Sequence, residues 1–532
     1  MDVAPDEHAW WQRGVVYQIY PRSYQDSNGD GIGDLAGITS RLDHLAWLGI
    51  DAVWLSPIFE SPMEDGGYDI TDYTAVDPRF GDLAAAETLI EQAHRLGLRV
   101  VLDFVPNHTS HQHPWFREAR QGRDNARRNW YIWRDPGPDG GPPNNWVSAT
   151  DVTRPGSGWW LDQASGQYFL GTFSSVQPDL NWANPLVREA MLDVLRFWLD
   201  RGVDGFRVDM VGFLAKDPQF RDEPPVPEGA NVFAATQYQW NQPENFDYLR
   251  EMRAVVDAYS DRVLIGEMSY GSPLEQLVSF ASEAGIDLPT NFGLITLPFE
   301  PEKIAEHVDA YDAAVLQGGA WPNYCLGNHD MPRISAQGEA RARLATLLLL
   351  SVRGTPFLYY GDEIGMSNVD IPPERRDDRW DVPQHDLTRD SARTPMQWNA
   401  DPNAGFCPPD VEPWLPIADD YERINVAVER EDGDSMLALV RTLLALRRQM
   451  PALAVGSYRR LTDVPQGCVA YIRGSGAQRI AAVLNFRDEA ITVDEPELRA
   501  GRLLVGTRPG RAPGSEPPAR LEACEGVLLE LA

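Results

Sequence analysis

Short apolar runs rich in Val, Ile and Tyr alternate with helix-period stretches through most of this chain, and that rhythm restricts the fold more than any other feature. The runs lie at 15–20, 52–56, 99–105, 205–211, 263–268, 324–326 and 357–360. Between them, segments such as 35–48, 83–96, 186–199, 246–259 and 342–352 repeat apolar residues every three or four positions. Repeated strand–helix alternation calls for a parallel sheet, and about eight such units close it into a barrel. The reading is therefore an α/β fold, a (β/α)8 TIM barrel, with seven strands clear and an eighth expected near 291–297, between Met268 and Tyr324.

Two segments break the rhythm. Residues 108–177 are loaded with Trp, Pro, Gly and Asn where one βα-loop belongs. An insertion that long points to function, and it reads as a lobe over the barrel mouth. After the helix expected at 436–449, the pattern turns to short strands (CVAYIR, RIAAVLNF, GRLLVG, GVLLEL), a C-terminal antiparallel β-domain. The expected division is 1–107 and 178–455 for the barrel, 108–177 for the inserted lobe and 456–532 for the β-domain. A chain of 532 residues is too long for one core in any case.

The net charge of −32 would repel nucleic acid and anionic lipid but not a neutral substrate. The first residues lack the basic and apolar regions of a secretory signal, and the most apolar helix candidate, 344–352, is about half the length needed to cross a bilayer. Four dispersed cysteines (Cys325, Cys407, Cys468, Cys524) with no CxxC pair read as reduced thiols of a cytoplasmic protein. A monomer or weak homo-oligomer is expected.

In a barrel of this kind, side chains at the C-terminal strand ends share one pocket. Strand three ends in DFVPNHT, placing Asp103, Asn107 and His108 there; strand five ends in IGEM with Glu267; strand seven ends in GNHD with His329 and Asp330. Strand four reads GFRVDMV, and Arg207 and Asp209, two apart, share a face. Singly, such residues are ordinary caps and ion-pair partners. Together, these acids with two histidines and an arginine at converging strand ends imply a task, because burying so many like charges is costly. Two neighbouring carboxyls in different environments take different protonation states. That is the equipment for cleaving a glycosidic bond, one acid for the leaving oxygen and one carboxylate for the anomeric carbon.

The blocks VVYQIYPRSY, DGGYDITDY, DFVPNHTS, QPDLNW, GFRVDMV, IGEM, LGNHD, GTPFLYYGDEIG and ARTPMQW run in order from residue 10 to about 400. In them the chain resembles glycoside hydrolase family 13, the α-amylase family, and its α-glucosidase and oligo-1,6-glucosidase branch. The resemblance implies a retaining mechanism with Asp209 as nucleophile, Glu267 as general acid/base and Asp330 as transition-state stabiliser. It puts His108, Arg207 and His329 on the glucose in the cleavage subsite. Asp65, Tyr68 and Arg393 would hold the non-reducing glucose, with an Asp65–Arg393 pair closing the pocket for exo-action on short α-glucosides. In this branch Val after the nucleophile accompanies α-1,6 cleavage and smaller or hydroxylated residues α-1,4. Met210 matches neither, whereas GEMSYGSP and the short span from Glu267 to Asp330 look like the α-1,4 group. Oligo-1,6-glucosidase, or a glucosyl transferase or isomerase such as trehalose synthase, stands as the alternative. A catalytically inactive relative would have eroded acids, and this chain keeps all three.

The loop DSNGDGIGD places side-chain oxygens at alternate positions, Asp26, Asn28 and Asp30, with Gly31 at the bend, like the opening of a calcium loop. Gly37 at the twelfth position rules out an EF-hand, and Asp34 with the Ile32 carbonyl would complete the ring. Relatives in this branch are similar here and bind structural Ca²⁺ or sometimes Mg²⁺.

Overall fold

A computed structural model describes residues 8–149, 156–225, 236–378, 381–382 and 387–532. Eight parallel strands carry the core: β1 Val16–Ile19, β2 Ala52–Leu55, β3 Arg99–Phe104, β4 Gly205–Val208, β5 Val263–Gly266, β6 Leu288–Pro289, β7 Asn323–Cys325 and β8 Thr355–Tyr359. They pair in the order β6-β5-β4-β3-β2-β1-β8-β7. β1, β2, β4, β5 and β8 are buried at every position, the pattern of a sheet covered on both faces. The barrel seam between β6 and β7 is closed by a side chain. Asn323 donates from Nδ2 to the Pro289 carbonyl at 2.7 Å, and its Oδ1 accepts from the Asn291 amide at 3.0 Å.

The sixth strand lies before the place expected for it. Residues Gly293–Thr296 form a turn of helix, begun where the Asn291 side chain accepts from the Gly293 amide. The apolar positions 292, 294, 295 and 297 are spaced as a helix face and not as a strand, so the expectation of 291–297 mistook the period.

Helices flank the strands: α1 Leu35–Leu48, α2 Leu83–Arg95, α3 Pro185–Leu199, α4 Glu244–Val256, α5 Leu274–Ser282, α6 Pro301–Gly318, α7 Glu339–Ser351 and α8 Met436–Gln449. α2 shows the logic. Asp82 caps it by accepting from the Ala85 amide, and Ala86, Leu89, Ile90 and Ala93 form one buried stripe. No helix among the described residues is long and apolar enough to cross a membrane.

Between β3 and α3 the chain forms a three-stranded antiparallel sheet from Trp133–Arg134, Gln167–Leu170 and Trp159–Asp162. Backbone bridges His108–Asp179 and Tyr131–Leu180 stitch the returning chain to its departure point, so this lobe is held over the C-terminal strand ends. A five-stranded antiparallel sheet, from Ser457–Leu461 to Gly526–Leu531, ends the chain. It docks on α7 through buried polar contacts: Tyr471 and Ser351 share a hydroxyl hydrogen bond of 2.7 Å, and Arg473 Nη1 donates to the Ser351 carbonyl at 2.6 Å.

Candidate active site

The acids predicted at strands four and five sit one residue beyond β4 and β5, where the parallel ladder carries on. The Asp209 amide donates to the Phe104 carbonyl (2.8 Å) and the Glu267 amide to the Val208 carbonyl (2.9 Å). Their side chains are thus fixed by barrel backbone. Arg207, 3% exposed, joins them: Nη1 lies 2.7 Å from Asp209 Oδ1 and 2.7 Å from Asp103 Oδ1, and Nη2 lies 2.6 Å from Glu267 Oε2. One guanidinium therefore faces three buried carboxylates. Burial raises Asp209 and Glu267 against the pull of Arg207. Two buried carboxyls on one guanidinium titrate as a coupled pair.

Met210, next in the chain, adopts a left-handed φ of 42°, a conformation that costs a β-carbon residue on the order of 1 kcal/mol. Its amide points at Glu267 Oε2 (3.2 Å), tying the turn after one acid to the other.

Asp330 differs from its neighbours. Burial raises it, but the guanidiniums of Arg389, Arg393 and Arg207 outweigh burial and hold it below the usual carboxylate range. His329 Nε2 lies 3.2 Å from Asp330 Oδ2, and burial lowers the imidazole to about 3, so the ring is neutral. Tyr68 is stacked on it at 5.3 Å with planes 3° apart, and donates its hydroxyl to Asp103 Oδ2 at 2.8 Å. His108, also lowered by burial, lies across the pocket with Nε2 3.2 Å from the Tyr68 carbonyl and 3.2 Å from Gln177 Nε2. All nine predicted catalytic and sugar-binding residues gather at this one end of the barrel.

One pairing differs from the expectation. Asp65 bonds Arg389, whose Nη2 is 2.7 Å from Asp65 Oδ1. Arg393 instead reaches Asp330 Oδ1 (3.1 Å) and the His329 carbonyl (2.7 Å). The two arginines bracket one turn of 3-10 helix, Arg389–Ala392, which aims the first at the pocket rim and buries the second behind it. Arg389 also meets Asp330 Oδ1 at 3.0 Å and Asp378 Oδ1 at 2.7 Å. Sequence reasoning missed Arg389 and Gln177, which donates to Asp65 Oδ2 at 2.8 Å. Both lie inside or beside quoted motifs, Gln177 opening QPDLNW and Arg389 four residues before Arg393.

At the loop before α1, Asp26 accepts from the amides of Asn28, Gly29 and Gly31 (2.9, 2.7 and 2.9 Å). Asn28 Oδ1 accepts from Asp30, and Asp30 Oδ1 from Ile32. Asp34 caps α1 through Gly37 (2.7 Å) and also holds Ser27. Gly31, at φ 83°, lies so close to the Glu412 carbonyl that a β-carbon would sit 2.2 Å from it. Among the described residues no group of three or more His, Cys, Asp or Glu side chains is placed to hold a metal ion by itself. A chelate here would need Asn28 and the Ile32 carbonyl as well. The donor chemistry fits a hard cation: every group is oxygen, and among the described residues no Lys or Arg pairs with Asp26, Asp30 or Asp34.

The family profile of the α-amylase catalytic domain matches residues 18–456. A probable alpha-glucosidase of Rhizobium meliloti (strain 1021) is 41% identical, with 92% of each chain covered. An oligo-1,6-glucosidase of Parageobacillus thermoglucosidasius is 37% identical, with 91% of each covered. The crystal structure of the alpha-glucosyl transfer enzyme XgtA superposes with a TM-score of 0.89 at 37% identity, over 99% of this chain and 100% of that one.

Proposed function

The chain belongs to the α-amylase family, and we propose that it is a retaining, exo-acting α-glucosidase that releases glucose from the non-reducing end of short α-glucosides, α-1,4 links favoured. The observation that carries this reading is the Asp209–Arg207–Glu267 arrangement, two buried carboxyls held on one guanidinium at 2.7 and 2.6 Å. In the proposed cycle protonated Glu267 delivers its proton to the glycosidic oxygen while ionised Asp209 closes on the anomeric carbon, giving a glucosyl ester. Glu267, now a base, takes a proton from water, which attacks the same carbon. Two displacements retain the α configuration. Asp330, firmly ionised, accepts from sugar hydroxyls, and His108 and the neutral His329 supply donors.

The rim supports the exo-acting reading. Asp65, Arg389 and Asp378 form a charged bar across the pocket end, and Asp65 and Arg389 are mostly buried. Asp65→Ala or Arg389→Ala is expected to raise KM for maltose about tenfold or more, each removing a charged hydrogen-bond partner of the sugar worth about 1.5–3 kcal/mol. Unchanged kinetics in both would sink the rim assignment.

Reduced thiols support a cytoplasmic setting, since all four cysteines are buried and free. Exposed large apolar residues are scattered singly, as suits a monomer or weak oligomer. The acceptor in the second displacement can equally be a sugar, giving transglucosylation, the activity named for XgtA. Oligo-1,6-glucosidase activity is the second reading, favoured by relatives of that name. The deciding experiment is product analysis on maltose, isomaltose, trehalose, sucrose and maltotriose, with the first-released anomer followed by NMR. α-Glucose from maltose, faster than from isomaltose, is expected. β-Glucose at first release would exclude retention.

We further propose that the 26–34 loop holds a structural Ca²⁺, with Mg²⁺ the alternative, through Asp26, Asn28, Asp30, the Ile32 carbonyl and Asp34. The ion would balance carboxylates that have no basic partner among the described residues and brace the start of α1; it takes no part in the chemistry. Chelation should lower the melting temperature, and added Ca²⁺ should restore it by mass action. A fully stripped protein that melts unchanged would exclude the ion.

A further inference from the structure

Behind the sugar-facing surface of His329 stands a residue that the proposed chemistry leaves unused. Gln18, on β1, is 2% exposed; its Nε2 lies 2.8 Å from His329 Nδ1 and 3.2 Å from Ser56 Oγ. We propose that Gln18 is a positioning residue that fixes His329 as its Nε2–H tautomer, keeping a neutral donor aimed at Asp330 and the substrate. The inference rests on the function proposed for this site.

The argument is one of hydrogen-bond inventory. An amide nitrogen only donates, so His329 Nδ1 must accept and the ring proton must sit on Nε2. Nε2 faces Asp330 Oδ2 at 3.2 Å, where a donor is wanted. Turning the amide over would put Oε1 against Nδ1, force the proton there, and leave the Nε2 lone pair against a carboxylate. Asp330 therefore decides the orientation of Gln18, and Gln18 decides the tautomer, each consistent with the other. The ring has no freedom to escape by rotation. Tyr68 lies parallel to one face and Tyr20, 6.2 Å away at 18°, also stacks on it, while Trp54 meets it edge-on at 6.3 Å.

Charge gives the arrangement its purpose. Asp330, Arg207, Arg389 and Arg393 are the charged groups around this imidazole; burial and the three guanidiniums keep it neutral against the pull of Asp330. A neutral Nε2–H strengthens Asp330 and sugar hydroxyls without adding positive charge beside a developing oxocarbenium ion.

The test uses the full-length protein with ¹⁵N-labelled histidine. The His329 signals, identified by their loss in His329→Ala, are expected to show a bare Nδ1 and a protonated Nε2. Gln18→Glu, nearly the same shape, offers Nδ1 an anionic acceptor, so His329 should become doubly protonated at neutral pH. Its kcat on maltose should fall roughly 10²-fold, the scale of one misdirected preorganised donor, with KM changed little. Gln18→Leu, which removes the donor without adding charge, serves if the Glu variant does not fold. On a His329→Ala background, neither substitution should lower kcat further by more than about twofold, since the effect runs through the missing ring. An Nδ1–H tautomer in the unmodified protein, or losses that add on the His329→Ala background, would overturn the proposal. The expected tautomer together with full activity of His329→Ala would instead bring down the function proposed for the site, and with it the consequence assigned to Gln18.

Discussion

Asp209→Ala is expected to cut turnover of maltose by more than about a thousandfold while leaving the protein folded. The size of the loss follows from covalent catalysis: without the carboxylate there is no glucosyl ester, and one easy pair of steps reverts to a single difficult one. Stability should not fall with activity. Arg207 faces Asp103, Asp209 and Glu267 at 2.6–2.7 Å, so three buried acids share one cation. Removing one relieves like-charge repulsion, and Arg207 keeps two partners. The melting temperature is therefore expected to hold or rise. The measurement is steady-state turnover beside a thermal melt on the same preparation. A folded variant that keeps more than about a thousandth of the activity would move the nucleophile elsewhere, and Asp103 would be the next carboxylate to examine.

How far this site could be read before its structure depends on what positions each residue. Asp209 and Glu267 were legible because local backbone alone places them: a strand of period two, ending one residue before each acid, can point them only into the barrel mouth. Arg207 follows from the same period. The Asp65–Arg389 pair joins two loops 324 residues apart, and no local pattern says which of two arginines, four positions apart, will turn toward the rim. The motif drew attention to Arg393, and the 3-10 turn between them reversed the choice. β6 failed for a related reason. It is two residues long, one of them a proline, and its seam with β7 is closed by the Asn323 side chain and not by a ladder. A strand so short has no period to read. The helical spacing just after it supplied a false one.

The charge pattern of the pocket has a consequence that spacing alone does not reveal. A guanidinium beside a nucleophile is easily read as a device to keep that nucleophile ionised, and Arg207 does oppose protonation of Asp209. Yet the same guanidinium is divided among three carboxylates, and burial wins for Asp209, Glu267 and Asp103 alike. Asp330 stays ionised because it gathers Arg389 and Arg393 to itself. The pocket thus separates a pair of raised carboxyls, suited to acid–base work, from a fixed anion, suited to holding hydroxyls.

Glu267→Gln tests that division through the leaving group. On maltose, whose departing sugar needs a proton, the rate should fall roughly 10²- to 10⁴-fold, the usual worth of a positioned acid. On α-glucosyl fluoride, whose leaving group departs without help, the first displacement should stay fast. The second then lacks its base, so the glucosyl ester on Asp209 should accumulate and be visible in the intact mass. The pH profile carries the sign. Wild-type turnover needs Glu267 protonated and Asp209 ionised, and both carboxyls are raised, so the bell of kcat/KM should lie above the ordinary carboxylate range of about 4. Activity falls on the alkaline side as Glu267 loses its proton and on the acid side as Asp209 gains one. Glutamine cannot ionise, so the alkaline limb should vanish while the acid limb remains. An alkaline limb that survives in Glu267→Gln would mean the proton comes from another group, and the pairing of roles inferred from Arg207 and its two neighbours would have to be abandoned.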